Sequence, residues 1–104
     1  MVLYCAGQTS VDANGAPQHP GDMAAQIALA LDNLEAVLIE AGMSLTNVVR
    51  LNFYTTDVDA YLANAAVVGA RTGAAGVAPA GTLLGVARLA FPELMIEMEA
   101  TAVA

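Results

Sequence analysis

Apolar residues recur along the chain in two periods. Ile27, Leu31, Leu34 and Leu38 are spaced 4, 3 and 4 apart, which lines them on one helical stripe. Ala30, Val37 and Ala41 widen the stripe, and Asp32, Glu35 and Glu40 fall largely off it. Asp22 precedes it as a capping carboxylate and Gly42 follows it as a stop, so the pattern predicts a helix over about 22–41. A period of two appears elsewhere. From 94 to 103, Leu94, Ile96, Met98, Ala100 and Ala102 alternate with Met95, Glu97, Glu99, Thr101 and Val103. From 47 to 55, Val49, Leu51, Phe53 and Thr55 alternate with Val48, Arg50, Asn52 and Tyr54. Both stretches read as strands. The apolar run 2–8 reads as a buried strand, and 82–89 as a strand joined to the last one by a turn at Phe91-Pro92. Thr56-Asp57-Val58-Asp59 is a capping signal for a second helix reaching about Gly69 or Arg71, with a thin face of Leu62, Ala65, Ala66 and Val68. The Pro- and Gly-containing stretch 9–21 and the Gly/Ala-rich stretch 72–81 read as loops.

Strand, helix, strand, helix, strand, strand predicts a single α/β (α+β) domain over 1–104, a mixed sheet with both helices packed on one face. The other face would carry Arg50, Tyr54, Glu97 and Glu99 among apolar residues. Composition sharpens this picture. The chain is 58% hydrophobic and 12% charged, against about 25% charged in ordinary domains. A domain this small buries only about 60–65% of its unfolded surface. That much apolar matter points to a surface covered by other copies. A membrane span is not expected. The longest uncharged stretch, Thr72–Ala87, is shorter than the ~20 residues required and is broken by Gly and Pro. The start lacks the basic region of a signal peptide, and the lone Cys5 forms no intrachain disulfide, so the expected compartment is the cytoplasm. The net charge is −7, and Arg50, Arg71 and Arg88 are the only cations besides His19. No basic stripe for nucleic acid can be built from them.

Several phrases together resemble the Rid (YjgF) family. They are Ala6-Gly7-Gln8, Gly21-Asp22 with Gln26 and Ala30-Leu31-Asp32-Asn33-Leu34, Val37-Leu38, and Ala41-Gly42. They continue with Val48-Val49, Tyr54-Thr55-Thr56-Asp57, Pro79-Ala80, Gly85-Val86, Leu89 and Ile96-Glu97-Met98-Glu99-Ala100, and cover nearly the whole chain in order. The resemblance implies a chorismate-mutase-like fold, a homotrimer, and ligand clefts between subunits. It implies a small-molecule metabolite as partner, no nucleic acid, no membrane and no cofactor. Active members hydrolyse reactive enamines or imines to carbonyl compounds and ammonia. By that resemblance Glu97 is the catalytic glutamate, Asn64 the helix asparagine and Gly7 the loop glycine of the cleft. Ala6 stands where many members have serine. Where the deaminases read Pro-Ala-Arg-Ser, this chain reads Pro79-Ala80-Gly81-Thr82, so the arginine that clamps the substrate carboxylate is replaced by Gly81. Leu83 stands where some members place cysteine. Gly81 and Leu83 are therefore expected substrate-lining positions, and restoring the clamp by Gly81→Arg is expected to raise activity.

Read on their own, the residues leave alternatives. Glu97 and Glu99 lie two apart on one strand face, about 6.6–6.8 Å along the chain. One of them acts as a general base, or both form ion pairs with Arg50 or Arg88 at the subunit interface. Arg50, with Asn52 and Tyr54 on its face, is a candidate substrate-binding cation. Arg71, beside the glycine-rich stretch, is a candidate substitute for the clamp. Cys5 reads as a small buried hydrophobe and His19 as a loop residue, and the two make no metal site. The function expected is binding of a small metabolite with hydrolysis of an enamine or imine. The alternative is a non-catalytic trimer that binds a small molecule or a partner.

Overall fold

The apolar stripe folds as its spacing demands. The computed structural model describes residues 1–104. Helix α1 spans Met23–Glu40, and Ile27, Ala30, Leu31, Leu34 and Leu38 on its inner face are fully buried. The Asp22 carboxylate accepts the Ala25 N–H at 3.0 Å and so satisfies one of the free first-turn donors. Gly42 ends the helix at φ 76°, a conformation that costs glycine nothing.

Four strands form one sheet: β1 (Val2–Thr9), β2 (Val48–Thr55), β3 (Leu83–Gly85) and β4 (Ile96–Val103), in the order β1-β4-β2-β3. Strand β4 runs antiparallel between β1 and β2, and β3 pairs parallel with β2 at the edge. The last two strands are thus not neighbours, because β2 lies between them. The expected strand 82–89 keeps only three residues. Beyond Gly85 one further bond, Val86 N–H to Thr55 O at 2.8 Å, closes the pairing, and the chain leaves the sheet edge.

Helices α2 (Val58–Asn64) and α3 (Ala66–Ala75) replace the single second helix. Asp57 caps α2 through Ala60 N–H at 3.0 Å. The helix continues past the expected stop at 69–71 and through the first residues of the expected loop. It ends where Gly76 takes φ 71°. The buried residue of α2 is Tyr61, whereas Leu62, assigned inward by the pattern, is 59% exposed.

All three helices lie on one face of the sheet, so that face and α1 share the core. The alternation of β4 holds: Leu94, Ile96, Met98, Ala100 and Ala102 are buried, and their neighbours are more open. The alternation of β2 fails at its start. Val48 pairs with Ala102 and Arg50 with Thr101, leaving Val49 as a bulge residue. The extra residue puts Val48 in the core with Leu51 and leaves Val49 half exposed, the reverse of the expected assignment for this pair.

Three polar side chains are fully buried in this face, and each is satisfied. Gln26 donates to His19 O at 3.1 Å and Glu93 O at 2.8 Å, and accepts Met95 N–H at 2.8 Å. Thr55 donates to Met95 O at 2.7 Å, and Ser10 to Gln18 O at 2.9 Å. Half-buried Asn33 donates to Thr9 O and Val11 O at 2.8 and 3.0 Å. These bonds fix where the loops flanking α1 and β4 leave the core.

Candidate functional site

The opposite face of the sheet has no helix over it. Register places Val2, Tyr4, Thr9, Arg50, Asn52, Tyr54, Leu84, Glu97, Glu99, Thr101 and Val103 on it. Tyr4 is 80% exposed, and Val2, Leu84 and Val103 are about half exposed. An apolar surface with charges set into it is what the sequence pattern predicts for this side.

Glu97 sits in the middle of the face, opposite Tyr54 on β2 and Thr9 on β1. A bulge in β1 between Cys5 and Gln8 turns Ala6 and Gly7 out of regular pairing. The result is a backbone-to-carboxylate approach. A Cβ on Gly7 would overlap Glu97 Oε2, so only glycine leaves the carboxylate in this place. Gly7 and Glu97 are the two expected site residues that the structure brings together.

Glu99 is differently engaged. Its Oε1 accepts hydrogen bonds from the Tyr54 hydroxyl and from Asn52 Nδ2, the latter at 3.3 Å. The hydrogen bond to Glu99, with burial and the charges of Glu99 and Glu97, pushes the Tyr54 phenol above its ordinary range. Asn52 Oδ1 in turn accepts Thr82 N–H at 3.1 Å. A chain of bonds therefore runs from Glu99 to the edge strand.

The arginines settle into separate roles. Both ion pairs of the chain belong to Arg71, with Asp32 at 2.7 Å and Glu35 at 2.5 Å. A third bond, to Ala28 O at 3.1 Å, completes a clasp of α3 onto α1. Desolvation pulls the Arg71 pKa down, but the bonds to Asp32 and Glu35 outweigh it and leave it raised. Arg71 is thus committed to the helix side and is no substitute for the clamp. Arg50 and Arg88 join no ion pair within the chain, so any pairing of Glu97 or Glu99 with them is between copies. Arg50 stands four residues along β2 from Tyr54, the partner of Glu97. That spacing is about 13 Å, too far for one small substrate to reach both within one subunit. Arg50 instead borders a hollow of about 200 Å³ with Tyr4, Asn52, Glu99 and Thr101.

The remaining expected residues lie elsewhere. Asn64 donates to Ala60 O at 2.8 Å, folding back on its own helix. Leu83 pairs with Phe53 and so shares the helix-side face, away from Glu97; Leu84, beside Tyr54, is the residue of β3 on the Glu97 side. Gly81 lies in the stretch that β2 holds by Leu51 N–H to Ala80 O at 2.8 Å and Phe53 N–H to Thr82 O at 2.9 Å. A Cβ there would overlap the Leu51 carbonyl oxygen. The expectation that Gly81→Arg restores a clamp is corrected by this contact, because any side chain at 81 must first push the edge strand off β2. Cys5 is buried, and burial pushes its thiol up, as befits a core residue. Sequence reasoning missed Tyr61 and the bulge at Ala6-Gly7; the Ala-Gly pair inside an apolar strand was the available signal for the second.

The family model described as endoribonuclease L-PSP matches residues 1–104. A conserved Rid-family protein of unknown function, YyfB of Yersinia pestis, is 42% identical over 99% of this chain and 78% of its own, with a TM-score of 0.85. TdcF of E. coli, solved with bound serine, is 26% identical over 99% of this chain and 80% of its own, with a TM-score of 0.88. The mitochondrial protein mmf2 of Schizosaccharomyces pombe is 38% identical over 63 residues, which are 60% of this chain and 48% of that protein. The matched stretch thus spans about half of that relative's length.

Proposed function

The chain belongs to the Rid (YjgF) family, and on that premise we propose that it binds a small metabolite over the Gly7–Glu97 pair and hydrolyses a reactive enamine or imine there slowly. The observation that carries this reading is the Glu97 carboxylate held against a side-chain-free stretch of β1, on a sheet face that no helix covers. A flat ligand can approach Gly7 closely, and Glu97 can take a proton from water. The water oxygen then bonds to the imine carbon (an enamine first tautomerises to the imine), Glu97 passes the proton on to nitrogen, and the hydroxyl proton follows as the C–N bond breaks, so that nitrogen leaves as ammonia and a carbonyl remains.

The exposed apolar residues of this face are covered, in the proposal, by further copies of the chain arranged as a trimer, with the clefts at their seams. Asn64 and Arg50 can contribute to such a cleft only from a neighbouring copy, since neither reaches Glu97 in its own. That a structure of TdcF holds serine supports an amino-acid-derived ligand class. The absence of arginine at 81 argues for a weak hold on carboxylates and favours, as the second reading, a trimer that binds a less anionic metabolite without turnover. Cleavage of RNA, which the family description names, is disfavoured by a net charge of −7 and by Arg71 being used internally. No helix is long and apolar enough to cross a membrane. The cytoplasm remains the proposed compartment, although a relative is mitochondrial.

Ammonia release from freshly generated 2-aminoacrylate tests the reading. Slow release by the native chain that Glu97→Gln abolishes is the expected result. Release unchanged in Glu97→Gln would overturn the assignment of the base. No release, with neutral compounds but not ketoacids raising the melting temperature, would select the second reading.

A further inference from the structure

The groups around Glu97 constrain the charge of what can lie beside it. Tyr54 stands directly opposite Glu97 across β2 and β4, so the two side chains are neighbours on the bare face. The phenol gives its one hydrogen to Glu99 Oε1. Toward a molecule beside Glu97 it therefore presents only the lone pairs of its oxygen. The same bond pushes the phenol above its ordinary range, so it stays protonated and its oxygen stays a neutral acceptor. Both hydrogen bonds to Glu99 fall on Oε1, which leaves Oε2 open.

The site lacks a cation. None of the chain lies within ion-pair distance of Glu97 or Glu99. Arg50 is four residues along β2 from Tyr54, out of reach within one chain. Gly81 offers no side chain, and the Leu51 carbonyl oxygen fills the space that one would enter. A carboxylate brought here would meet two like charges and no counter-charge. A cation with N–H groups would meet two carboxylates and a committed acceptor.

Resting on the reading of Glu97 as the base, we propose that the site takes a carboxylate-free iminium ion, that of an amine rather than of an amino acid, and that Tyr54 selects for it. The iminium N–H donates to the Tyr54 oxygen, Glu99 behind it balances the charge, and Glu97 stays free for water. Glu97 takes a proton as the water oxygen bonds to the iminium carbon, then passes that proton to nitrogen. The C–N electron pair leaves with nitrogen, and the hydroxyl proton goes to the departing ammonia. One iminium and one water thus give one carbonyl compound and one ammonium ion.

The test uses benzamidinium, benzamide and benzoate, flat stable molecules alike in shape with positive, zero and negative charge. Each is titrated into the full chain and followed by amide chemical shifts. Benzamidinium should bind about tenfold more tightly than benzamide, as hydrogen bonds that carry charge do, with shifts centred on Gly7, Tyr54 and Glu97. Benzoate should not bind there. Tyr54→Phe leaves the net charge unchanged and should weaken benzamidinium about fivefold; Glu99→Gln should weaken it at least as much. Glu40→Gln removes an exposed carboxylate at the end of α1 and should leave binding within about twofold. That control separates the site from the general pull of a chain of net charge −7. Benzoate binding as tightly as benzamidinium, binding unmoved by Tyr54→Phe and Glu99→Gln, or shifts away from the Glu97 face would each overturn the proposal. Benzoate binding that Arg50→Gln abolishes would overturn it too, because a neighbouring copy would then supply the clamp. Benzamidinium bound as expected without release of ammonia from any imine would remove the hydrolysis and keep the charge preference. Faster turnover of 2-aminoacrylate than of carboxylate-free imines would keep the hydrolysis and remove the preference.

Discussion

Behind the sheet, Gln26, Thr55 and Ser10 are fully buried and every one of them is hydrogen-bonded. In front of it, Glu97 and Arg50 join no ion pair, and Tyr4 stands 80% exposed beside half-exposed valines. Both faces come from the same strands and the same alternation. The first is a finished interior, where each polar group specifies where a loop leaves the core. The second is an unfinished one, in which charge and apolar surface lie side by side with nothing to cover them. The difference teaches where to look for function: the buried polar groups behind the sheet are spent on holding the fold, whereas the proposed Glu97 chemistry draws on groups in front of it that the fold leaves free.

The contrast can be broken by substitutions graded across the two faces, each read by chemical denaturation. Leu34→Ala empties the centre of the helix side, where Leu34 is fully buried, and should cost about 3–4 kcal/mol. Gln26→Leu keeps the volume but strands His19 O, Glu93 O and Met95 N–H, for an expected loss of about 2–3 kcal/mol. Gly81→Ala forces a methyl into the Leu51 carbonyl at the sheet edge and should cost about 1–2 kcal/mol. Glu97→Gln should shift stability by less than about 0.5 kcal/mol, because no bond that holds the fold depends on it. A loss at Glu97 as large as that at Gln26 would erase the distinction between the faces.

Much of this was legible in the residues. The 3.6-period stripe of α1 and the two-residue alternation of β4 gave their elements and their buried faces, because both pack a single apolar side against the core. The phrases that mark the family are largely the pins of the fold. Gln26, Asn33, Thr55 and Asp57 each close a loop or cap a helix. In this chain those phrases therefore serve architecture before chemistry. The bulge at Val49 was not legible, since a single inserted residue between apolar neighbours leaves the local alternation looking intact, and the one at Gly7 left only the Ala-Gly pair as a signal. Nor was the short β3, whose pairing depends on how much of β2's edge remains open. The site was half legible. Glu97 and Gly7 meet, but pattern alone could not show that Leu83 points to the other face, that Asn64 bonds its own helix, or that Arg71 is held by Asp32 and Glu35.

The claim on which the rest turns is that the bare face of the sheet is an interior shared between copies. Light scattering at micromolar concentration measures this directly. A single species of three times the 10.5 kDa chain mass is the result expected, and a well-folded species at the mass of one chain would contradict it.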